Sequence, residues 1–271
     1  MMKTIFYGLF LVLALASCNC GNKSGTAAAD GYKLVWSDEF DVNGLPDSTK
    51  WSYDTRGNES RWGNQEYQWY TEDKKENAFV QDGFLHIVAI KEKIEDRDYS
   101  SARLVSSGKG DWLYGRFEVS AKLPGAKGIW PAIWMLSTDW EYGGWPESGE
   151  IDIMEHVGYM IDTVVASAHT DAYNHVEGTQ KNNTIRVPDL HDNFHVYALE
   201  WGPEEYSAYV DTIKYFTFKN EHKTSKEWPF DKRFHMILNV AVGGTWGAAA
   251  GFDSTAYPQE MVVDYVRVYQ K

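Results

Sequence analysis

The sequence predicts an all-β fold, a sandwich or barrel of many short strands, and three observations carry that expectation. No long stretch holds a 3.6-residue apolar period, β-branched and aromatic residues dominate the apolar positions, and short alternating runs recur between turn signals. Phe79–Ile90 reads as a hairpin closed by Asp82-Gly83, a pair suited to the positive φ angles of a two-residue turn. Tyr114–Leu123 alternates strongly. Further strands are expected at Ile129–Leu136, Glu150–His156, Val164–Thr170, Asn193–Glu200, Tyr206–Val210, Ile213–Phe218, Phe234–Val242 and Met261–Tyr269. Lys74-Lys75-Glu76 and Glu221–Lys226 read as solvated loops. The chain of 271 residues suits one domain, and it shows no internal repeat.

The amino terminus reads as an address. Lys3 precedes an apolar run, Ile5–Ala16, too short to span a bilayer comfortably but of the right length for a secretory signal. The run ends in Leu15-Ala16-Ser17-Cys18, which resembles the lipobox of bacterial lipoproteins and makes Cys18 the expected lipidation site. Residues 1–17 are then a signal peptide, residues 18–31 a flexible Gly/Ser/Asn/Ala-rich tether, and residues 32–271 the folded domain. This reading makes the protein an exported one, held at the cell envelope by lipid, with the outer membrane as the expected location. The two cysteines, Cys18 and Cys20, both lie in this segment, so the body has no disulfide; a core of this size does not need one.

The net charge is −13 and no basic patch stands out, which argues against a nucleic-acid partner. Acidity is otherwise mainly a solubility feature, compatible with a neutral polymer as partner and with a monomer. The chain holds 12 Trp, 17 Tyr and 12 Phe. Most large aromatics fill cores, but so many indoles in one domain suggest that some line a cleft, where their faces stack on the C–H patches of sugar rings.

The chemistry concentrates in Glu150-Ile-Asp-Ile-Met-Glu155. On a helix, Glu150 would stand apart from Asp152 and Glu155. On a regular strand, Glu150 and Asp152 share a face and Glu155 points away from it. A β-bulge at Ile153-Met154 restores the parity and puts all three acids on one face, with Ile151 and Ile153 turned to the core. Stability alone does not favour three crowded carboxylates. Glycoside hydrolysis does want them: two carboxyl groups a short distance apart serve as nucleophile and acid/base in a retaining mechanism, and a third acid can tune them. A solvated acidic strand and a cation site are the alternatives.

At this segment the chain resembles glycoside hydrolase family 16, in the form with the extra residue: Gly149-Glu-Ile-Asp-Ile-Met-Glu155. The resemblance covers nearly all of the body. It continues in order through Trp36–Asp41, Asn64–Tyr70, Tyr114–Glu118, Gly128–Leu136, Trp145-Pro146, Phe194–Trp201 and Val263–Tyr269. It implies a β-jelly-roll sandwich of two antiparallel sheets with a concave substrate groove, Glu150 as nucleophile, Asp152 as assisting acid and Glu155 as acid/base. The Trp130–Trp134 run and Val242–Trp246 resemble the laminarinase group, endo-β-1,3-glucanases that often also cut mixed β-1,3/1,4-glucans. Thr245 stands where that group usually shows Asn. The resemblance places Trp130 and Trp134 at the cleft; Trp145, just before the catalytic strand, reads as a sugar-stacking wall, Trp246 as a further substrate-binding indole, and Asn64 as either a hydroxyl ligand or a surface-loop residue. The strand face shared by Arg116 and Glu118 reads as a buried polar face for sugar hydroxyls. His169 is expected near the nucleophile, and His156 reads as structural. No catalytic cofactor is implied. A structural calcium on the convex face is, with oxygens from Glu39, Gly83 and Asp264, the hard donors that ion prefers. Within the same family an agarase or carrageenase would share the acids. A transglycosylase would keep them too, whereas a non-catalytic glucan-binding lipoprotein would typically have lost them.

Overall fold

A computed structural model describes residues 31–271; the expected signal peptide, Cys18 and all but the last residue of the tether lie outside the described residues. Eighteen strands follow one another: β1 (Lys33–Asp38), β2 (Ser52–Tyr53), β3 (Gln68–Tyr70), β4 (Ala78–Gln81), β5 (Phe84–Ile94), β6 (Arg97–Ser101), β7 (Arg103–Val105), β8 (Asp111–Trp112), β9 (Gly115–Lys122), β10 (Ile129–Ser137), β11 (Glu150–Glu155), β12 (Thr163–His169), β13 (Lys181–Arg186), β14 (His195–Trp201), β15 (Glu205–Val210), β16 (Ile213–Lys219), β17 (Phe234–Val242) and β18 (Gln259–Gln270). The only α-helix among the described residues is the turn Gly244–Gly247. None of their helices is long and apolar enough to cross a membrane.

The strands form two sheets. One runs β16-β15-β14-β9-β18-β5-β6-β3, with β1 also on β18 and β4 also on β5. The other runs β13-β12-β11-β10-β17-β7-β2, with β8 also on β17. Pairing is antiparallel except between β3 and β6, which are parallel. This is the two-sheet jelly-roll sandwich expected, with one local departure from antiparallel order.

Side-chain alternation explains the layering. On β9, Phe117, Val119 and Ala121 are fully buried between the sheets. The opposing sheet answers with Ile133 and Met135 of β10 and Ile151 and Ile153 of β11, all fully buried. Each inward face removes a continuous apolar layer from water, the main stabilising term in a fold of this kind. The hairpin between β4 and β5 turns on Asp82 (φ 53°) and Gly83 (φ 85°), so both central residues are left-handed as a two-residue turn requires. Every residue of β17 is buried, because it lies in mid-sheet with the sandwich core on one side and site residues on the other.

The sequence pattern did not disclose several elements. β13, Lys-Asn-Asn-Thr-Ile-Arg, has almost no apolar content and is exposed along most of its length. It pairs with β12 as the last strand of its sheet, and an edge position tolerates such composition because it has little core to cover. The strands β2, β3, β7 and β8 are two or three residues long, too short to show any periodicity.

Candidate active site

The site is organised by β11, which lies between β10 and β12. Against β10 the register passes from Ile133↔Met154 to Trp134↔Asp152, so Ile153 is skipped. Against β12 it passes from Asp152↔Ser167 to Glu155↔Val165, again with one residue too many on β11. This is the β-bulge that the parity of the acids demanded. Ile153 and Met154 are both fully buried, so the extra residue is absorbed into the core and not into the groove. A buried hydroxyl completes the arrangement: Tyr215 Oη, from β16 of the opposite sheet, donates to the carbonyl of Ile153 at 2.6 Å.

Each glutamate is held by one indole. Trp145 Nε1 donates to Glu150 Oε2 at 2.9 Å. Trp130 Nε1 donates to Glu155 Oε1 at 3.1 Å. Trp145 reaches Glu150 from the loop that precedes β11, whereas Trp130 stands on β10 and packs edge-to-face on Trp246, with ring centroids 5.2 Å apart. Trp134, four residues along β10 from Trp130 and so on the same face, donates from Nε1 to Asn239 Oδ1 at 2.7 Å. His169 is the register partner of Glu150. Its Nε2 lies 3.3 Å from Asp152 Oδ2 and 3.7 Å from Glu150 Oε1. Glu150, Asp152 and His169 offer atoms within 4.8 Å of one another and are the one such group among the described residues.

Burial pushes all three carboxyls up. Glu150 and Asp152 are raised to about 8 and Glu155 well above its ordinary value. The three cannot all be ionised together in so dry a place, and the group retains protons at neutral pH. Their surroundings differ, however. Burial and the Asp152 charge raise Glu150, but His169, the Trp145 N–H and Arg103 all favour its anion. For Glu155, burial is reinforced by the charges of Asp152 and Glu150 together, against His169 and the Trp130 N–H. Of the two glutamates Glu150 is therefore the more readily ionised and Glu155 holds its proton more firmly, a separation of the kind that assigns base and acid roles to paired carboxyls.

The structure gathers the other expected residues unevenly. Asn64 Nδ2 donates to the buried Glu66 at 3.2 Å, and its carbonyl accepts from the Thr245 amide at 2.7 Å. The Asn64 loop is thereby tied to the turn that carries Trp246, through the Thr245 main chain and independent of its side chain. His156 is fully buried, with Nδ1 2.8 Å from the Thr163 carbonyl, as a structural residue should be.

Arg116 and Glu118 do not belong to the site. They lie on β9, in the other sheet, and the parity that turns Phe117 and Val119 into the core turns them to the opposite surface of the molecule. There Arg116 pairs with Glu118 and Glu200, each at 2.6 Å. The polar face read from the sequence is an ion-pair network, not a sugar-binding surface.

Arg103 was invisible in the sequence. It sits on β7, opposite Asn239 of β17, with its guanidinium 4.1 Å from the Trp62 ring centroid, 4.6 Å from that of Trp134 and 3.5 Å from Asp54. A cation sandwiched between two indoles is held by both ring faces. His175 was also missed. Its ring lies 5.0 Å from Trp145 and 5.2 Å from His169, extending the aromatic wall beside Glu150. A lone Arg in a three-residue strand and a His in a loop give no periodic signal.

The residues expected to hold calcium meet by register. β18 pairs with β1 as far as Asp38↔Val266 and with β5 from Leu85↔Val263, so Glu39 and Gly83 flank Asp264 at a bulge in β18. The Glu39 carboxylate is engaged by Arg267 in a two-pronged pair at 2.8 and 2.9 Å. A cation there would draw on the Asp264 carboxylate and on main-chain oxygens, which suits calcium.

Residues 63–267 match the model of glycosyl hydrolases family 16. A beta-glucanase of Rhodothermus marinus is 52% identical over 268 residues, covering 96% of this chain and 93% of the relative. The X-ray structure of the laminarinase from Rhodothermus marinus superposes with a TM-score of 0.86 at 54% identity, covering 88% of this chain and 97% of that one. A non-specific endo-β-1,3(4)-glucanase structure gives 0.85 at 46% identity, covering 89% and 91%. The bulged carboxylate strand, its two indole donors and these likenesses agree, and the chain belongs to the glycosyl hydrolases of family 16.

Proposed function

We propose that this protein is an endo-acting, retaining β-glucanase that hydrolyses β-1,3-glucan, and mixed β-1,3/1,4-glucan as a second substrate. The observation that carries the chemistry is the bulged β11, which turns Glu150, Asp152 and Glu155 to one face with Glu150 favoured as anion and Glu155 as acid. The likeness to a laminarinase and to an endo-β-1,3(4)-glucanase supports the substrate class. Indoles and an arginine sandwiched between them suit a neutral polymer, whose rings stack on apolar faces and whose hydroxyls take charged donors.

In the proposed reaction the Glu150 carboxylate attacks the anomeric carbon while Glu155 protonates the departing glycosidic oxygen. The product of this step is a glycosyl ester of Glu150. Glu155, now ionised, takes a proton from water, which attacks the same carbon and releases Glu150. Asp152, with Oδ2 3.3 Å from His169 Nε2 and on the same strand face as Glu150, keeps the nucleophile oriented and its charge localised. The Trp145 and Trp130 N–H groups fix the two carboxyls between steps.

Three further readings rest on the sequence. The protein is held at the cell envelope through lipidated Cys18, and it acts as a monomer. A structural calcium bound at Asp264, with Glu39 and Gly83 beside it, steadies the sheet away from the groove.

Five outcomes follow. Proton NMR of the first products of laminarin cleavage shows the β-anomer, and initial α-anomer would exclude retention. Glu150→Gln lowers kcat by about 10⁴-fold or more, since it removes the covalent step. The same variant gains thermal stability in a pH-dependent way. With its folded value raised to about 8 against an ordinary 4.5, Glu150 keeps its proton in the fold while the unfolded chain loses it, so stability falls as pH rises from 4.5 towards 8. The Tm advantage of Glu150→Gln is therefore larger at pH 8 than at pH 5, and an advantage independent of pH would contradict the assignment. Cys18→Ala abolishes radiolabelled palmitate incorporation and releases the protein from membranes. Chelation lowers Tm by several degrees without changing kcat at low temperature, and calcium alone restores it.

A further inference from the structure

The catalytic strand β11 and its neighbour β12 are each pinned from behind by a tyrosine of the opposite sheet. Tyr215 Oη on β16 donates to the Ile153 carbonyl at 2.6 Å, and Tyr206 Oη on β15 donates to the Ser167 carbonyl at 3.1 Å. Both side chains cross the interior of the sandwich, with Tyr206 fully buried and Tyr215 nearly so. Their acceptors are not ordinary positions. Ile153 is the residue that the ladder to β10 skips, and Ser167 is the register partner of Asp152. Most core tyrosines could be phenylalanines without changing shape; these two place their hydroxyls on the main chain of the acid-bearing β11 and of β12 beside it.

The bulge gives the Tyr215 contact its meaning. An extra residue disrupts the ladder and leaves a main-chain group to be satisfied elsewhere. The Ile153 carbonyl points into an apolar interior, where no water competes for it. The Tyr215 hydroxyl is its partner, and this bond fixes the tilt of the Ile153 peptide. Two residues later the ladder resumes at Glu155, paired with Ala132 and Val165. The direction in which Glu155 leaves the strand depends on that tilt. Tyr215 is itself anchored, because its own carbonyl accepts from Asn183 Nδ2 of β13 at 2.6 Å. It thus bridges the two sheets at both its ends.

We infer that Tyr215 is a positioning residue for acid/base catalysis: its hydroxyl sets the bulge geometry that aims Glu155 at the glycosidic oxygen. The inference rests on Glu155 being the acid/base. It adds a requirement that the acids alone do not contain, namely a hydroxyl on the opposite sheet. Tyr206, whose acceptor lies outside the bulge, does not share this role.

The test is Tyr215→Phe, which removes one oxygen and keeps the ring. Two substrates are compared on the same preparation: laminarin, and a dinitrophenyl β-glycoside of a β-1,3-linked disaccharide with azide added. The aryl leaving group needs no protonation and azide needs no base, so the second assay does not use Glu155. The ratio of the two rates also cancels any difference in folded fraction. For Tyr215→Phe, kcat on laminarin falls about tenfold or more with KM little changed, as a small misplacement of a reacting group would cause, while the aryl rate with azide stays near that of the parent. Tyr206→Phe leaves the ratio at the parental value. An equal loss on both substrates, or no loss on laminarin, overturns the inference. Glu155→Ala, run alongside, separates the two levels. If it lacks the azide-rescued signature, the assignment of Glu155 fails; if it shows the signature and Tyr215→Phe does not, only the positioning role fails.

Discussion

One extra residue in one strand governs this molecule. The alternation of a β-strand has period two, so a single added residue exchanges the faces of everything beyond it. In β11 that residue would send Glu155 to the core and leave Glu150 without its partner. The bulge absorbs it, and the cost is borne inside the sandwich. Two consecutive apolar residues, Ile153 and Met154, are buried side by side, and the carbonyl freed from the ladder is met by a tyrosine from the other sheet. The groove above sees an even row of acids because the irregularity has been moved below it.

The electrostatics depend on the same arrangement. Three carboxyls on one buried face raise each other's proton affinity, and by themselves they would do so almost alike. What separates them is the neighbours supplied by adjacent strands. β12 brings His169 opposite Glu150, the preceding loop brings the Trp145 N–H, and β7 brings the Arg103 cation within range. Glu155 receives the Trp130 N–H but also the charges of both other acids. Division of labour between two chemically equal glutamates is thus a property of the sheet order, not of the segment.

The two sheets also divide the polar residues. The back sheet carries partly buried ion pairs such as Arg116 with Glu118 and Glu200, and Glu39 with Arg267. The groove side carries buried polar chains, Asn64–Glu66–Gln68 and Trp134–Asn239–Tyr70, in which β3 at the edge of the other sheet is tied to β17 and β10. A buried network of this kind is rigid because breaking any bond strands a partner without water, which is what a site that must hold a sugar in one pose requires.

The sequence by itself determined the strand-rich fold, the hairpin at Asp82-Gly83 and the need for a bulge near Met154. These follow from local rules: period-two alternation, the φ angles open to Gly and Asp, and the parity of three acids spaced 150, 152 and 155. It also marked the Trp130, Trp134, Trp145 and Trp246 indoles, through runs that resemble a known family. Only the tertiary structure decided which sheet each strand joins. That is why Arg116 and Glu118 looked like groove residues and lie on the opposite surface, since alternation shows that a strand has two faces but not which one meets the groove. It is also why Arg103, His175 and Tyr215 escaped notice. Each acts through a partner distant in the chain, Arg103 with Trp62, His175 with Trp145 and Tyr215 with Ile153, and Arg103 and His175 lie in segments too short or irregular to show a period. Contacts between strands distant in sequence are set by packing two sheets face to face, and no local pattern encodes that choice.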